Sequence, residues 1–212
     1  MKIGIIREGK NPPDKRVPFT PDQLRAIQKE HAGKITIQVQ SSSFRAFSDQ
    51  EYLDAGIDVF EDISDSDVLF GVKEVPVDQL IDGKTYFFFS HTIKKQKSNR
   101  KLLKAVLEKN IRLIDYEALK DEEGKRVVAF GRWAGIVGAY NAFWTYGKKT
   151  DLFEIKRANE CVDLKDLHLE LSKVQLPPVK IILTGSGRVG NGAKEVLNSL
   201  KIREVSAHDF LH

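Results

Sequence analysis

In residues 179–200, VKIILTGSGRVGNGAKEVLNSL, three glycines at G-x-G-x-x-G spacing stand between an apolar run and a helical pattern. The order reads as strand, tight turn, helix. Gly185 makes the turn, Gly187 lets a pyrophosphate approach the backbone, and Gly190 lets the helix pack against the strand. Ser186, Arg188 and Val189 complete the loop, and the helix N-terminus faces the phosphate charge. Such a unit belongs to a parallel sheet, which commits the chain to an α/β fold. A glycine turn kept only for strand–helix packing is the ordinary alternative. REVSAHD then reads as the next strand. Asp209 falls near its end, where an acid binds ribose hydroxyls and favours NAD, while Arg188 and Arg203 leave NADP open.

The same alternation runs through the first 130 residues. KIGIIRE reads as a strand, followed by a loop carrying Pro12, Pro13 and Pro18. Thr20 is an N-cap, Pro21 the first helical residue and Gln23 the capping-box partner of a helix that stops at Gly33. KITIQVQ alternates as a half-buried strand. SDQEYLDAG is a second capped helix, ended by Gly56. DVLFGVKEVP and KTYFFFSHTIKK are apolar strands that end in charged residues. NRKLLKAVLEKN has helical periodicity, IRLIDYEAL begins as a strand, and KRVVAF reads as a further strand. In GRWAGIVGAYNAFWTYGKK, Gly131, Gly135, Gly138 and Ala142 recur at helical spacing, which predicts a long, well-buried helix joining two lobes. NECVDLKDLHLELSKVQLPP reads as a polar connector containing a helix.

Composition narrows the class. The 212 residues are 41% hydrophobic and 30% charged, as expected for one or two globular domains. The 34 basic and 30 acidic residues are interspersed, so the net charge of +4 is mostly a solvated surface. The basic run over 94–104 lacks interleaved aromatics, which argues against a nucleic-acid partner. The single cysteine, Cys161, makes neither a disulfide nor a metal cluster, which suits a cytoplasmic protein without a metal site. No apolar stretch reaches membrane-spanning length, and the N-terminal apolar run is too short for a signal segment. A homo-oligomer stays open.

Lys73 and His91 each follow an apolar strand, at the edge of an α/β sheet where ligands bind. A partly desolvated lysine and a histidine at such an edge form a candidate acid–base pair. Each also has an ordinary reading, as a solvated lysine and as a hydrogen-bonded structural histidine. Arg16, in the proline-rich loop, is suited to clamp a carboxylate bidentately. Lys94 is a similar candidate, although Lys95 and Lys97 stand beside it. Glu74 and Glu117 are candidates to tune the charge of this cluster, or ordinary salt-bridged carboxylates.

The blocks REGK, DKRVPFTP, GVKEVP, FFFSHTIKK, LIDYEAL, RVVAFGRWAGIVGAYNA and GSGRVGNGA, in this order, resemble the N-terminal half of NAD-dependent, lysine-forming saccharopine dehydrogenase. They resemble alanine dehydrogenase and the NAD domain of transhydrogenase more loosely. The resemblance implies two Rossmann-like lobes with the active site between them. A catalytic lobe would occupy 1–130, and the beginning of an NAD-binding lobe 131–212. It implies NAD as cofactor and an amino acid as substrate. By motif, Lys73 and His91 fall on the family's catalytic pair, Arg16 on its substrate-carboxylate arginine, and Lys94 and Glu117 on charged neighbours. The implied reaction is oxidative deamination, with saccharopine giving lysine and 2-oxoglutarate. Deamination of alanine to pyruvate and ammonia is one alternative, and a truncated, non-catalytic nucleotide-binding module is another. Such enzymes are roughly twice this length, in line with two full domains, so the expectation is a portion of a longer protein.

Overall fold

A computed structural model describes residues 1–12, 14–200 and 202–211. Pro13 of the expected proline-rich loop lies outside them. The chain divides into two compact units, Met1–Ala129 and Phe130–His212.

The first unit is built on six strands: β1 (Lys2–Ile5), β2 (Thr36–Gln40), β3 (Asp58–Phe60), β4 (Val68–Phe70), β5 (Thr85–Phe88) and β6 (Arg112–Asp115). Every pairing is parallel, and the order is β3-β2-β1-β4-β5-β6. This is the doubly wound arrangement, whose order reverses between β1 and β4. Three helices cover it: α1 (Pro21–Glu30), α2 (Asp49–Asp54) and α3 (Arg100–Glu108). Leu24 of α1 and Tyr52 of α2 pack with Ile5, Ile37 and Val39 in one core cluster. Leu102, Ala105 and Val106 of α3 pack with Leu69, Tyr86 and Phe88 in another. Burial of each large apolar side chain contributes about 1.5–3 kcal/mol. The reciprocal capping box expected from sequence, Thr20 with Gln23, is present, and the second capped helix has one as well, Ser48 with Glu51.

Residues 125–130 do not form a strand. Asp121 Oδ1 accepts the N–H of Glu123 and of Lys125, closing a turn, and a single antiparallel bridge between Lys120 and Arg126 follows. The chain then enters a helix at Gly131, which leaves no length for a ladder. The short strand β3, by contrast, carries too few residues for its alternation to stand out in the sequence.

The second unit holds α4 (Gly131–Thr150), α5 (Leu164–Leu171), α6 (Arg188–Ser199) and α7 (Ala207–Leu211). Ile136, Tyr140 and Phe143 of α4 bury against Leu167 and Leu171 of α5 and Val196 of α6. The expectation of a well-buried α4 holds for one face only. Trp133 is 47% exposed and Val137 41%. The small residues do permit close approach. A Cβ on Gly135 would lie 2.0 Å from the Val189 carbonyl oxygen, and one on Gly192 would lie 2.0 Å from that of Arg132.

Neither 179–184 nor 203–206 forms a strand. An extended segment becomes a strand only when its N–H and C=O groups find a neighbouring ladder, and none is present among the described residues. Ile182 is 71% exposed as a result. Ser206 instead starts α7, its Oγ accepting the Asp209 N–H at 3.1 Å and donating to the Asp209 carboxylate at 2.8 Å. Asp209 therefore sits in a helical turn and not at a strand end. Among the described residues no helix is long and apolar enough to cross a membrane.

Candidate active site

Four neighbouring strands of the first unit end on the same edge, and the segment after each carries charge. Glu8, Lys10, Asp14 and Arg16 follow β1, while Lys73 and Glu74 follow β4. His91 and Lys94 follow β5, and Glu117 follows β6. In a parallel sheet the C-terminal strand ends diverge at the switch point and leave a crevice for ligand.

His91 is held by its neighbours. Its Nδ1 lies 2.8 Å from Glu117 Oε2, and its ring stacks on Phe89 with centroids 6.3 Å apart. Lys94 Nζ stands 3.1 Å from the same nitrogen, and the tautomer in which Nδ1–H donates to the carboxylate leaves Nε2 to exchange a proton. Nε2 faces Glu74 Oε1 at 3.8 Å. Lys94 Nζ lies 3.2 Å from Glu117 Oε1, and Arg126 completes the cluster at 3.6 Å from the same oxygen. Glu117 is only 10% exposed. Burial would raise its pKa, but the hydrogen bonds and charges of His91 and Lys94 outweigh that and hold the carboxyl below its ordinary value. Glu74 behaves alike. Burial opposes ionisation, and Lys10, 2.6 Å away, together with His91 overcomes it.

The Lys73 segment is braced from β1. Glu8 accepts the backbone N–H of Val72 at 2.6 Å and of Lys73 at 2.8 Å. Among the described residues no ion pair engages Lys73 Nζ, so its amine remains available to a ligand. Arg16 is fixed by a bidentate contact to Asp14, Nε to Oδ1 at 2.9 Å and an amino nitrogen to Oδ2 at 2.5 Å. The hydrogen bonds from Arg16 lower the Asp14 pKa more than burial raises it. The Nε edge of the guanidinium is thus taken up by Asp14.

The structure brings Lys73, Glu74, His91, Lys94, Glu117 and Arg16 to one edge. The sequence reading passed over Glu8, Lys10, Asp14 and Arg126. Glu8, Lys10 and Asp14 lie in the REGK and DKR blocks, where the repeated charges after β1 are the available signal. Arg126 lies in a segment read as a strand.

The glycine loop lies in the second unit. Gly185 has φ +92, a conformation that only glycine adopts easily. Gly187 is the N-cap of α6, without a side-chain cap. A Cβ on it would meet nothing within 4 Å, so the backbone there is open to a ligand. A Cβ on Gly190 would lie 2.1 Å from the Gly185 carbonyl oxygen. Gly190 therefore packs the start of α6 on the turn at Gly185, and no strand precedes that turn for the helix to pack against. Arg188 and Val189 occupy the first turn of α6, and Ser186 accepts Asn191 Nδ2–H at 3.4 Å. An exposed helix N-terminus beside an open glycine backbone fits a phosphate group. Asp209, bonded to Ser206, does not take the strand-end place expected of a ribose ligand.

Residues 4–137 match the family described as alanine dehydrogenase/PNT, N-terminal domain. The chain belongs to this alanine dehydrogenase/PNT family. The match includes every candidate of the first unit and ends within α4. Mouse mitochondrial alpha-aminoadipic semialdehyde synthase is 36% identical over 98% of the chain and 24% of its own length. Saccharopine dehydrogenase [NAD(+), L-lysine-forming] of Yarrowia lipolytica is 28% identical over 96% of the chain and 58% of its own length. The chain thus spans about a quarter of the first relative and somewhat over half of the second. A solved L-alanine dehydrogenase has the same fold, with a TM-score of 0.58 at 20% identity, over 94% of this chain and 53% of that one.

Proposed function

We propose that the protein carrying this chain is an NAD-dependent dehydrogenase that deaminates saccharopine oxidatively to lysine and 2-oxoglutarate. The observation that supports it most is the convergence of Arg16, Lys73, His91 and Glu117 on one edge, after four adjacent parallel strands. The fungal relatives named as lysine-forming saccharopine dehydrogenases support the substrate.

Arg16 would hold a substrate carboxylate and so orient its Cα. The Lys73 amine takes the proton from the substrate nitrogen as the C–N bond becomes an imine. Bound NAD supplies the acceptor for the hydride leaving Cα. His91 Nε2 takes a proton from the water that adds to the imine carbon, and a proton returned to nitrogen lets the adduct collapse to keto acid and amine. Glu117 keeps the imidazole in the tautomer this requires. Glu74, paired with Lys10, keeps negative charge beside Nε2. The loop from Gly185 to Gly190 would hold the pyrophosphate through its backbone.

The test is NADH formation by that protein with saccharopine, with alanine and with NADP in place of NAD. Turnover of saccharopine with NAD supports the proposal. Turnover of alanine alone moves the substrate to alanine, and no turnover with either leaves a binding module and overturns it.

A further inference from the structure

We infer that Asp115 is a positioning residue for the His91–Glu117 pair, holding both members through one carboxylate. The inference rests on the assignment of His91 to proton transfer. Asp115 ends β6. Its Oδ2 accepts the Ser90 hydroxyl at 2.5 Å, and its Oδ1 accepts the Glu117 N–H at 2.8 Å. One oxygen therefore fixes the residue before His91, and the other fixes the residue that carries its carboxylate partner.

Ser90 is fully buried. Its proton goes to Asp115, which leaves Oγ as an acceptor. It receives the Thr92 N–H at 3.1 Å and faces the Thr92 hydroxyl at 2.8 Å. Asn99 Nδ2 donates to the Ser90 carbonyl at 2.7 Å. Both chain neighbours of His91 are thereby tied to Asp115. His91 itself has φ +56, in the left-handed region. A non-glycine residue stays there only where its surroundings over-determine it, and this network is what does so.

Loss of either oxygen would let the 2.8 Å contact between His91 Nδ1 and Glu117 relax. The tautomer that presents Nε2 would then no longer be imposed. A merely structural aspartate would lower stability without changing the imidazole.

Asp115→Ala and Asp115→Asn test this, with Ser90→Ala as a variant that leaves the carboxylate in place. Two readings are taken. Nitrogen-15 NMR of this chain reports the His91 tautomer, and steady-state kinetics of the protein carrying it separates kcat from KM. We expect Asp115→Ala to give a mixture of tautomers and at least a tenfold lower kcat, with the KM for NAD within twofold. Asp115→Asn, which keeps an oxygen for the Glu117 N–H, should recover part of both. A folded Asp115→Ala with unchanged His91 signals and unchanged kcat overturns the inference. Should that variant fail to fold, Ser90→Ala decides by the same readings. If His91→Gln keeps full turnover while Asp115→Ala still disturbs the ring signals, the assignment of His91 to the reaction falls and the positioning stands.

Discussion

The carboxylate of Glu8 reaches from the segment after β1 to take the peptide N–H of Lys73 at 2.8 Å. The contact ties the first strand of the sheet to the candidate base after the fourth. Burial raises the Glu8 pKa above 4.5, against the two backbone hydrogen bonds and Arg16, with the Asp14 charge adding to the rise.

This has a pH signature. In the window just above pH 4.5 the folded state binds a proton at Glu8 that the unfolded state has lost. Stability from this group is present below that window and falls as pH rises through the folded pKa. Glu8→Gln cannot titrate. Subtracting the variant's urea-unfolding free energy from the wild type's at each pH should give a difference that declines as pH rises. A flat difference would show that Glu8 is not perturbed.

His91 gives a second prediction, through its backbone. At φ +56 an alanine carries a steric cost that glycine lacks. His91→Gly should therefore be more stable than His91→Ala by about 1 kcal/mol, the reverse of the order in a regular helix. Thermal unfolding of the two variants checks it, and an alanine variant as stable as the glycine one would contradict the left-handed assignment.

The glycines of the second unit should separate by role. Gly187 has open space where its Cβ would stand, whereas Gly192 has the Arg132 carbonyl oxygen at 2.0 Å. Gly187→Val should cost no more than about 1 kcal/mol of stability, chiefly as a poorer N-cap, yet weaken NAD binding at least tenfold. Gly192→Val should cost about 3 kcal/mol by forcing α4 and α6 apart. Calorimetry with and without NAD reads both.

Lys73→Met and His91→Ala should each lower turnover of the protein carrying this chain at least tenfold, or about 1.4 kcal/mol in barrier, with NAD affinity kept. Near-normal turnover in both variants would remove them from the chemistry.

Much of the first unit is legible in its sequence because local signals and tertiary burial agree there. Thr20-Pro21 with Gln23, and the capped pattern SDQEYLDAG, announce helices that the structure keeps. The apolar runs before Lys73 and His91 announce strand ends. What was not legible depends on partners distant in sequence. The reach of Glu8 to Val72 spans 64 residues, and that of Asp115 to Ser90 spans 25. No periodicity reports either. In 203–209, the place after a glycine turn and a helix suggested a strand, but Ser206 and Asp209 form a local cap that an unpaired segment adopts first. In 125–130, a turn closed by Asp121 left too little chain for pairing.

The order of the strands has a consequence for how such a site changes. Each strand end carries its own small set of charged groups, on a connection separate from those of the other strands. Lengthening or shortening one connection moves one reach, such as the guanidinium after β1, while the sheet keeps the rest where they are. A preference for larger or smaller ligands can therefore be retuned one connection at a time, without redesign of the proposed acid–base pair.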